Sequence, residues 1–155
     1  MGGMKIVIVR KANRGDYDKK ELMRLAEQWL NPLWDKEAKA LLLNQILFEA
    51  DKHIFSNHFI YVADSGEHLC GFVDFFYWQD WLTRKSRLLI QHVYVDETTR
   101  QAGVGTTLLN KIIEDFNPDI CYIDTKPEVY PHAEKLYLKV GFKENPKRKW
   151  MEWTK

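Results

Sequence analysis

Arg100, Gly103 and Gly105 follow a β-type run, Val93-Tyr94-Val95, through a short polar segment, and lead directly into an apolar pattern of helical period. That order places free backbone N–H groups at a helix N-terminus, where the helix dipole favours negative charge. Missing Cβ atoms there let a phosphate approach the backbone. Arg100, Gln101, Ala102, Gly103, Val104, Gly105 and Thr106 therefore read as an anion-binding loop, with Arg100 adding a fixed positive charge. A mononucleotide P-loop needs Gly-Lys-Ser/Thr, but here Gly105 is followed by Thr106. A dinucleotide fingerprint needs a third glycine where Leu108 stands, so only a degenerate form remains, with Asp124 about 20 residues further on.

The elements that must position this loop follow from period and punctuation. Lys5 to Arg10 reads as a first strand, and a helix from Asp16 carries Leu22, Leu25, Ala26 and Trp29 until Asn31-Pro32 stops it. A second helix is expected with Ala38, Leu41, Leu42, Gln45, Ile46 and Glu49 along one side. Phe59 to Ala63 and Leu69 to Trp78 read as a hairpin turning at Asp64-Ser65-Gly66-Glu67, and Leu88 to Val95 as the next strand. Gly105, Leu108, Leu109, Ile112, Ile113 and Phe116 define a helix after Gly103 that ends at Asn117-Pro118. Ile120 to Thr125 reads as a buried strand, Pro131 to Val140 as a helix closed by Gly141, and Trp150 to Thr154 as a last strand. The fold class is α/β, one mixed β-sheet flanked by helices, in a single domain spanning residues 1–155.

Arg100-x-x-Gly103-x-Gly105, with Ala133-x-x-x-Tyr137-x-x-x-Gly141-Phe142 on the helix after the following strand, resembles the GCN5-related N-acetyltransferase (GNAT) family. The resemblance covers Leu69 to Phe142 in motif and order, and the earlier residues in layout only. It implies the acyl-CoA N-acyltransferase type of fold, acetyl-coenzyme A as cofactor, and acetyl transfer to a primary amine by direct attack in a ternary complex. The cofactor would lie between the strands ending at Val95 and Thr125, its pantetheine pairing along Val93, Tyr94 and Val95 and its pyrophosphate on the amides from Gln101 to Thr106. Tyr137 would protonate the departing thiolate. Tyr130 stands where the family often has an asparagine that contacts the cofactor arm, and no carboxylate stands on Leu88 to Val95, where many members carry a glutamate base.

His92 is the candidate base in that glutamate's place, since a histidine titrates near neutrality, at about 6.5, and can take a proton from an ammonium directly or through water. A bulge in its strand would change the way it faces. The acceptor pocket is expected among Phe75, Phe76, Tyr77, Trp78 and Trp81, facing Trp29 or Trp34, with Asp74 or Asp80 as pairing charge for a cationic or aromatic amine.

The remaining composition narrows the partners. Lys plus Arg number 23 against 22 Asp plus Glu, so the net charge of +1 gives no case for nucleic acid. Apolar runs such as Ile6 to Val9 fall short of a membrane span. Cys70 and Cys121 form no CxxC pair, and His53, His58, His68 and His132 show no metal-ligand spacing, so no metal is expected and a cytoplasmic location fits. Gly2 and Gly3 before Met4 read as an added extension, since a myristoylation signal would place Ser or Thr where Ile6 stands. The expected partner is a small-molecule or peptide amine, and a homodimer is left open. Two rival readings are a coenzyme A-binding sensor or regulatory module of the same fold without turnover, and nucleotide binding by a degenerate dinucleotide loop.

Overall fold

β-Branched and aromatic residues at alternate positions build the sheet, because a pleated strand packs one set of side chains on each face. The computed structural model describes residues 6–18, 20–30, 57–100, 102–125, 132–149 and 151–155. The expected helix from Ala38 to Glu49 lies outside them. The chain divides into two compact units, Met1–Asp124 and Thr125–Lys155.

In the first unit, among the described residues, the strands β1 (Ile8–Lys11), β2 (His58–Asp64), β3 (Leu69–Gln79), β4 (Ser86–Val95) and β5 (Ile120–Ile123) form one sheet in that order. Its first four strands run antiparallel, and β5 joins β4 in parallel. The β2–β3 turn works as its residues suggest: Gly66 takes φ +87°, and its amide donates to Asp64 Oδ1 at 2.8 Å.

The helices α1 (Arg14–Asp18) and α2 (Glu21–Leu30) replace the single helix expected from Asp16. Lys20, at φ +58°, separates them. Asp16 is held in place, its carboxylate accepting from the Asn13 amide at 2.8 Å and from Arg10 at 2.8 Å, so the chain must turn again before α2 can lie on the sheet. Leu22 and Leu25 of α2 then pack with Val62, Phe72 and Tyr94, and Trp29 borders that cluster.

On the opposite face lies α3 (Val104–Phe116), with Leu108, Leu109 and Ile112 buried and Phe116 edge-on to Phe75 at 5.0 Å and to Phe59 at 4.9 Å. Asn117 ends it in the left-handed conformation, φ +42°, as the Asn117-Pro118 pair suggests. Gly71 sits under the start of α3, where a Cβ would lie 2.6 Å from the Tyr94 carbonyl oxygen and 3.2 Å from Leu108. Only glycine lets β3, β4 and α3 meet that closely.

The second unit holds α4 (Ala133–Val140). Gly141 closes it at φ +115°, its amide and that of Phe142 both reaching the Tyr137 carbonyl, at 3.2 and 3.0 Å. Residues 151–155 form no strand and are exposed, contrary to the expected Trp150 to Thr154 strand. Alternation is a local property, whereas a strand exists only where a neighbour meets its amides. The expected strand from Ile120 to Thr125 is also shorter, ending at Ile123, and is half-buried. No described helix is long and apolar enough to cross a membrane.

Candidate active site

The loop between β4 and α3 is tied down at its start and open at its end. Asp96 is buried and caps a short 3-10 turn, Glu97–Thr99, accepting from the Thr98 amide at 3.1 Å and from Arg24 at 2.8 Å. Burial alone would raise the Asp96 pKa, but the bonds from Arg24 and Thr98 outweigh it and hold the carboxyl below its usual range. Arg100 folds back, its Nε donating to the Val95 carbonyl at 3.1 Å and its guanidinium lying 5.4 Å over the Tyr94 ring.

Gly103 precedes α3 in the left-handed conformation, φ +77°, and among the described residues nothing lies within 4 Å of where its Cβ would stand. The Thr107 amide finds the Gly103 carbonyl at 3.0 Å, while those of Val104, Gly105 and Thr106 have no backbone partner among the described residues. These amides, with the helix dipole behind them, suit an anion with several oxygens. Ala102 is exposed, and Gln101 lies outside the described residues.

One strand behaves differently along its two halves. From Arg87 to Ile90, β4 pairs with Ile120 to Ile123 of β5, and there the parallel ladder stops. On the β3 side, Asp74 is opposite His92 while Phe75 is opposite Ile90, so Gln91 is an extra, exposed residue in a β-bulge. Beyond it, Val93, Tyr94 and Val95 pair with β3 on one edge, and on the other have no β5 partner among the described residues. Among the described residues no strand meets this stretch of the edge, and its last carbonyl, that of Val95, accepts from Arg100 instead.

The bulge also aims His92 onto the face of α2. Its Nδ1 lies 2.7 Å from Asp74 Oδ1, and His58 Nε2 lies 2.9 Å from Asp74 Oδ2. An ionised carboxylate only accepts, so each of those nitrogens carries a proton, and the lone pair of neutral His92 sits on Nε2. Burial would raise the Asp74 pKa, but the hydrogen bonds from His58 and His92 prevail and hold it below the ordinary range. The Trp29 ring stands edge-on to His92, 4.6 Å between centroids.

Several residues named from sequence converge here, and others do not. Phe76 packs 4.9 Å from His58, and Trp78 is half-buried on the same sheet face, two positions further along β3. Trp81 is 81% exposed on the β3–β4 hairpin. Asp80 organises that hairpin, accepting from the Leu82 and Thr83 amides at 2.9 Å and pairing with Arg87 at 3.3 Å. Trp34 and Tyr130 lie outside the described residues. Tyr137, in the second unit, is buried, its ring 6.1 Å from Phe142. His58 was missed as a site residue, and Asp74, assigned to a substrate amine, has both oxygens on histidines. The available signal was a carboxylate inside the apolar run Leu69 to Trp78, with His58 a hairpin partner within reach.

A family model described as "Acetyltransferase (GNAT) family" matches residues 20–142. A search of curated proteins finds none that matches. Among solved structures, AAC(6')-Iy in complex with the bisubstrate analog CoA-S-monomethyl-acetylneamine superposes with a TM-score of 0.70 at 18% identity, covering 97% of this chain and 98% of that one. An aminoglycoside acetyltransferase from an uncultured soil metagenomic sample, in complex with sisomicin, gives 0.71 at 14% identity, with 96% and 95% covered. The ribosomal-protein-alanine N-acetyltransferase of Brucella melitensis biovar Abortus 2308 gives 0.72 at 16% identity, covering 96% of this chain and 100% of that one. At these identities the likeness shows the fold.

Proposed function

The chain belongs to the GNAT acetyltransferase family, and we propose that it transfers the acetyl group of acetyl-coenzyme A to a primary amine by direct attack. The observation that carries this reading is the continuity of three features along β4: the edge from Val93 to Val95 that no described strand meets, the amides of Val104 to Thr106 that have no backbone partner among the described residues beyond it, and His92 before it. The edge suits the amides of a pantetheine arm, and the helix start suits a pyrophosphate. When bound, acetyl-coenzyme A supplies an activated acyl group and a thiolate leaving group.

His92 Nε2 takes the proton of the acceptor ammonium, and the freed amine lone pair then attacks the thioester carbon. Tyr137 keeps the role given by its motif, protonation of the thiolate. The acceptor approaches over Trp29, Phe76 and Trp78, whose faces suit a cationic or aromatic amine. The similar structures with aminoglycoside-type ligands and the protein-alanine acetyltransferase support a small-molecule or peptide amine as acceptor class.

Calorimetry with coenzyme A and thiol release with a panel of amines test the reading. Gly103→Asn tolerates the left-handed backbone while sending a side chain into the open space beside the amides, and coenzyme A affinity should fall at least about tenfold. Undiminished affinity in the folded variant would remove the phosphate site. Tight coenzyme A binding with no thiol release for any amine class would make the protein a coenzyme A sensor and end the catalytic proposal.

A further inference from the structure

Arg10, Arg24 and Arg87 are each met by a carboxylate, whereas Arg100 rests on neutral partners and forms no ion pair among the described residues. Its Nε donates to the Val95 carbonyl at 3.1 Å, and its guanidinium lies over the Tyr94 ring. The edge of β4 that this carbonyl faces is fixed by the next peptide. The Asp96 amide donates to the Cys70 carbonyl of β3 at 2.7 Å, and a trans peptide sends the carbonyl of one residue and the amide of the next to opposite sides. The Val95 carbonyl is therefore turned away from β3, onto the edge that no described strand meets. The same alternation puts the Val93 and Val95 amides and the Val93 carbonyl on that edge, while the amide and carbonyl of Tyr94 face β3.

We propose that Arg100 sets the donor specificity of the site, closing the last carbonyl of the cofactor edge and yielding it only to a ligand that carries a pyrophosphate. The inference rests on the proposed binding of acetyl-coenzyme A along β4. A guanidinium holds a neutral carbonyl through one charge-assisted bond, but it can meet phosphate oxygens through two, with opposite charge besides. Arg100 stands three residues before Gly103, in the loop that leads to the amides of Val104 to Thr106, which suit the same anion. A pyrophosphate arriving there draws the guanidinium off Val95, and the freed carbonyl accepts an amide N–H of the pantetheine arm. A bare pantetheine thioester has nothing to offer Arg100, so it must compete for that carbonyl. Its apparent affinity is reduced by the fraction of time the clasp is open. The two halves of one cofactor thus bind cooperatively through one side chain, and short acyl thioesters are disfavoured without any steric barrier.

Arg100 is exposed, so its substitutions leave the fold intact and the full chain can be used. Gln carries its Nε2 as many bonds from the backbone as the arginine Nε, so Arg100→Gln keeps a donor for Val95 without the charge. Arg100→Met removes both. Binding of pantetheine is measured by ligand-observed NMR, alone and with saturating inorganic pyrophosphate, beside calorimetry with coenzyme A. In the wild-type chain pyrophosphate should tighten pantetheine by about twofold to tenfold, the range that one hydrogen bond commands. Arg100→Met should bind pantetheine more tightly than wild type by that same factor with no pyrophosphate present, yet bind coenzyme A more weakly. Opposite movement of the two ligands is what loss of a purely structural contact would not produce. Arg100→Gln should bind pantetheine as wild type does and gain nothing from pyrophosphate. Equal pantetheine affinity in wild type and Arg100→Met, or an undiminished gain from pyrophosphate in either variant, would overturn the proposal. If coenzyme A fails to bind the wild-type chain at all, the cofactor site and the clasp fall together; if it binds while pantetheine and pyrophosphate show no coupling, only the clasp falls.

Discussion

Asp96 is a buried carboxylate and Asp74 a largely buried one, both held below their usual pKa by hydrogen bonds, yet one is met by Arg24 and the other by two histidines. A guanidinium stays charged at any working pH, so the Arg24–Asp96 contact can only hold. Arg24 also donates to the Leu69 carbonyl at 2.8 Å, and Asp96 Oδ1 caps the turn into the anion loop, so this cluster fixes where β4 ends and the loop begins. An imidazole gives up and takes up protons near neutrality, so the Asp74 cluster can hold and also react. The same depressed carboxylate serves architecture in one region and, in the proposed function, chemistry in the other, and the partner's proton affinity decides which.

The sharpest way to break this contrast is His92→Gln. Turnover should fall by about 10²–10⁴-fold when chemistry limits the rate, with the thermal unfolding midpoint nearly unchanged. A variant that unfolded earlier without losing turnover would put His92 in the architectural class with Arg24. Asp96→Asn should do the reverse, costing about 1.5–3 kcal/mol of stability in denaturant titration. It should also weaken coenzyme A binding, because the loop loses its anchor.

Acid separates the two regions without mutation. Asp64, Asp74 and Asp96 all have depressed folded values, Asp64 chiefly through Arg10, so the stability they contribute is present above the ordinary carboxylate value. It is lost only as pH falls through the lower folded values. From about pH 7 to about pH 5 the stability these carboxylates contribute should therefore hold, so a loss of turnover in that window comes from the site and not from unfolding. A parallel decline of both would erase the distinction. The smallest effect should come from Arg24→Lys, which keeps the charge but cannot reach Asp96 and the Leu69 carbonyl together, at about 1 kcal/mol by the same denaturant titration.

The architectural features were more legible in sequence than the chemical ones. Gly103, Gly105 and the helical spacing from Leu108 to Phe116 report a loop and helix whose determinants lie within about a dozen residues. The His58–Asp74–His92 cluster depends on the register of three strands and on an extra residue at Gln91, and neither is written in any local pattern. Lys20 broke the first helix with no glycine or proline to announce it, because Asp16 was anchored by Arg10 from another element. The Trp150 to Thr154 expectation failed for the complementary reason: the local pattern was present, and among the described residues no strand pairs with residues 151–155.

The bulge at Gln91 turns a question of chemistry into one of counting. Deleting that residue would leave Ile90 opposite Phe75 and His92 opposite Asp74, as they are now, but in an uninterrupted pleat. A straightened β4 could continue its ladder with β5 past Ile90 and close the edge proposed for the pantetheine arm. When sequences of this family are aligned, a one-residue gap between Ile90 and His92 would thus mark chains that keep the histidine and its carboxylate but have no slot for the cofactor. Segment length, rather than residue identity, is the character to compare there.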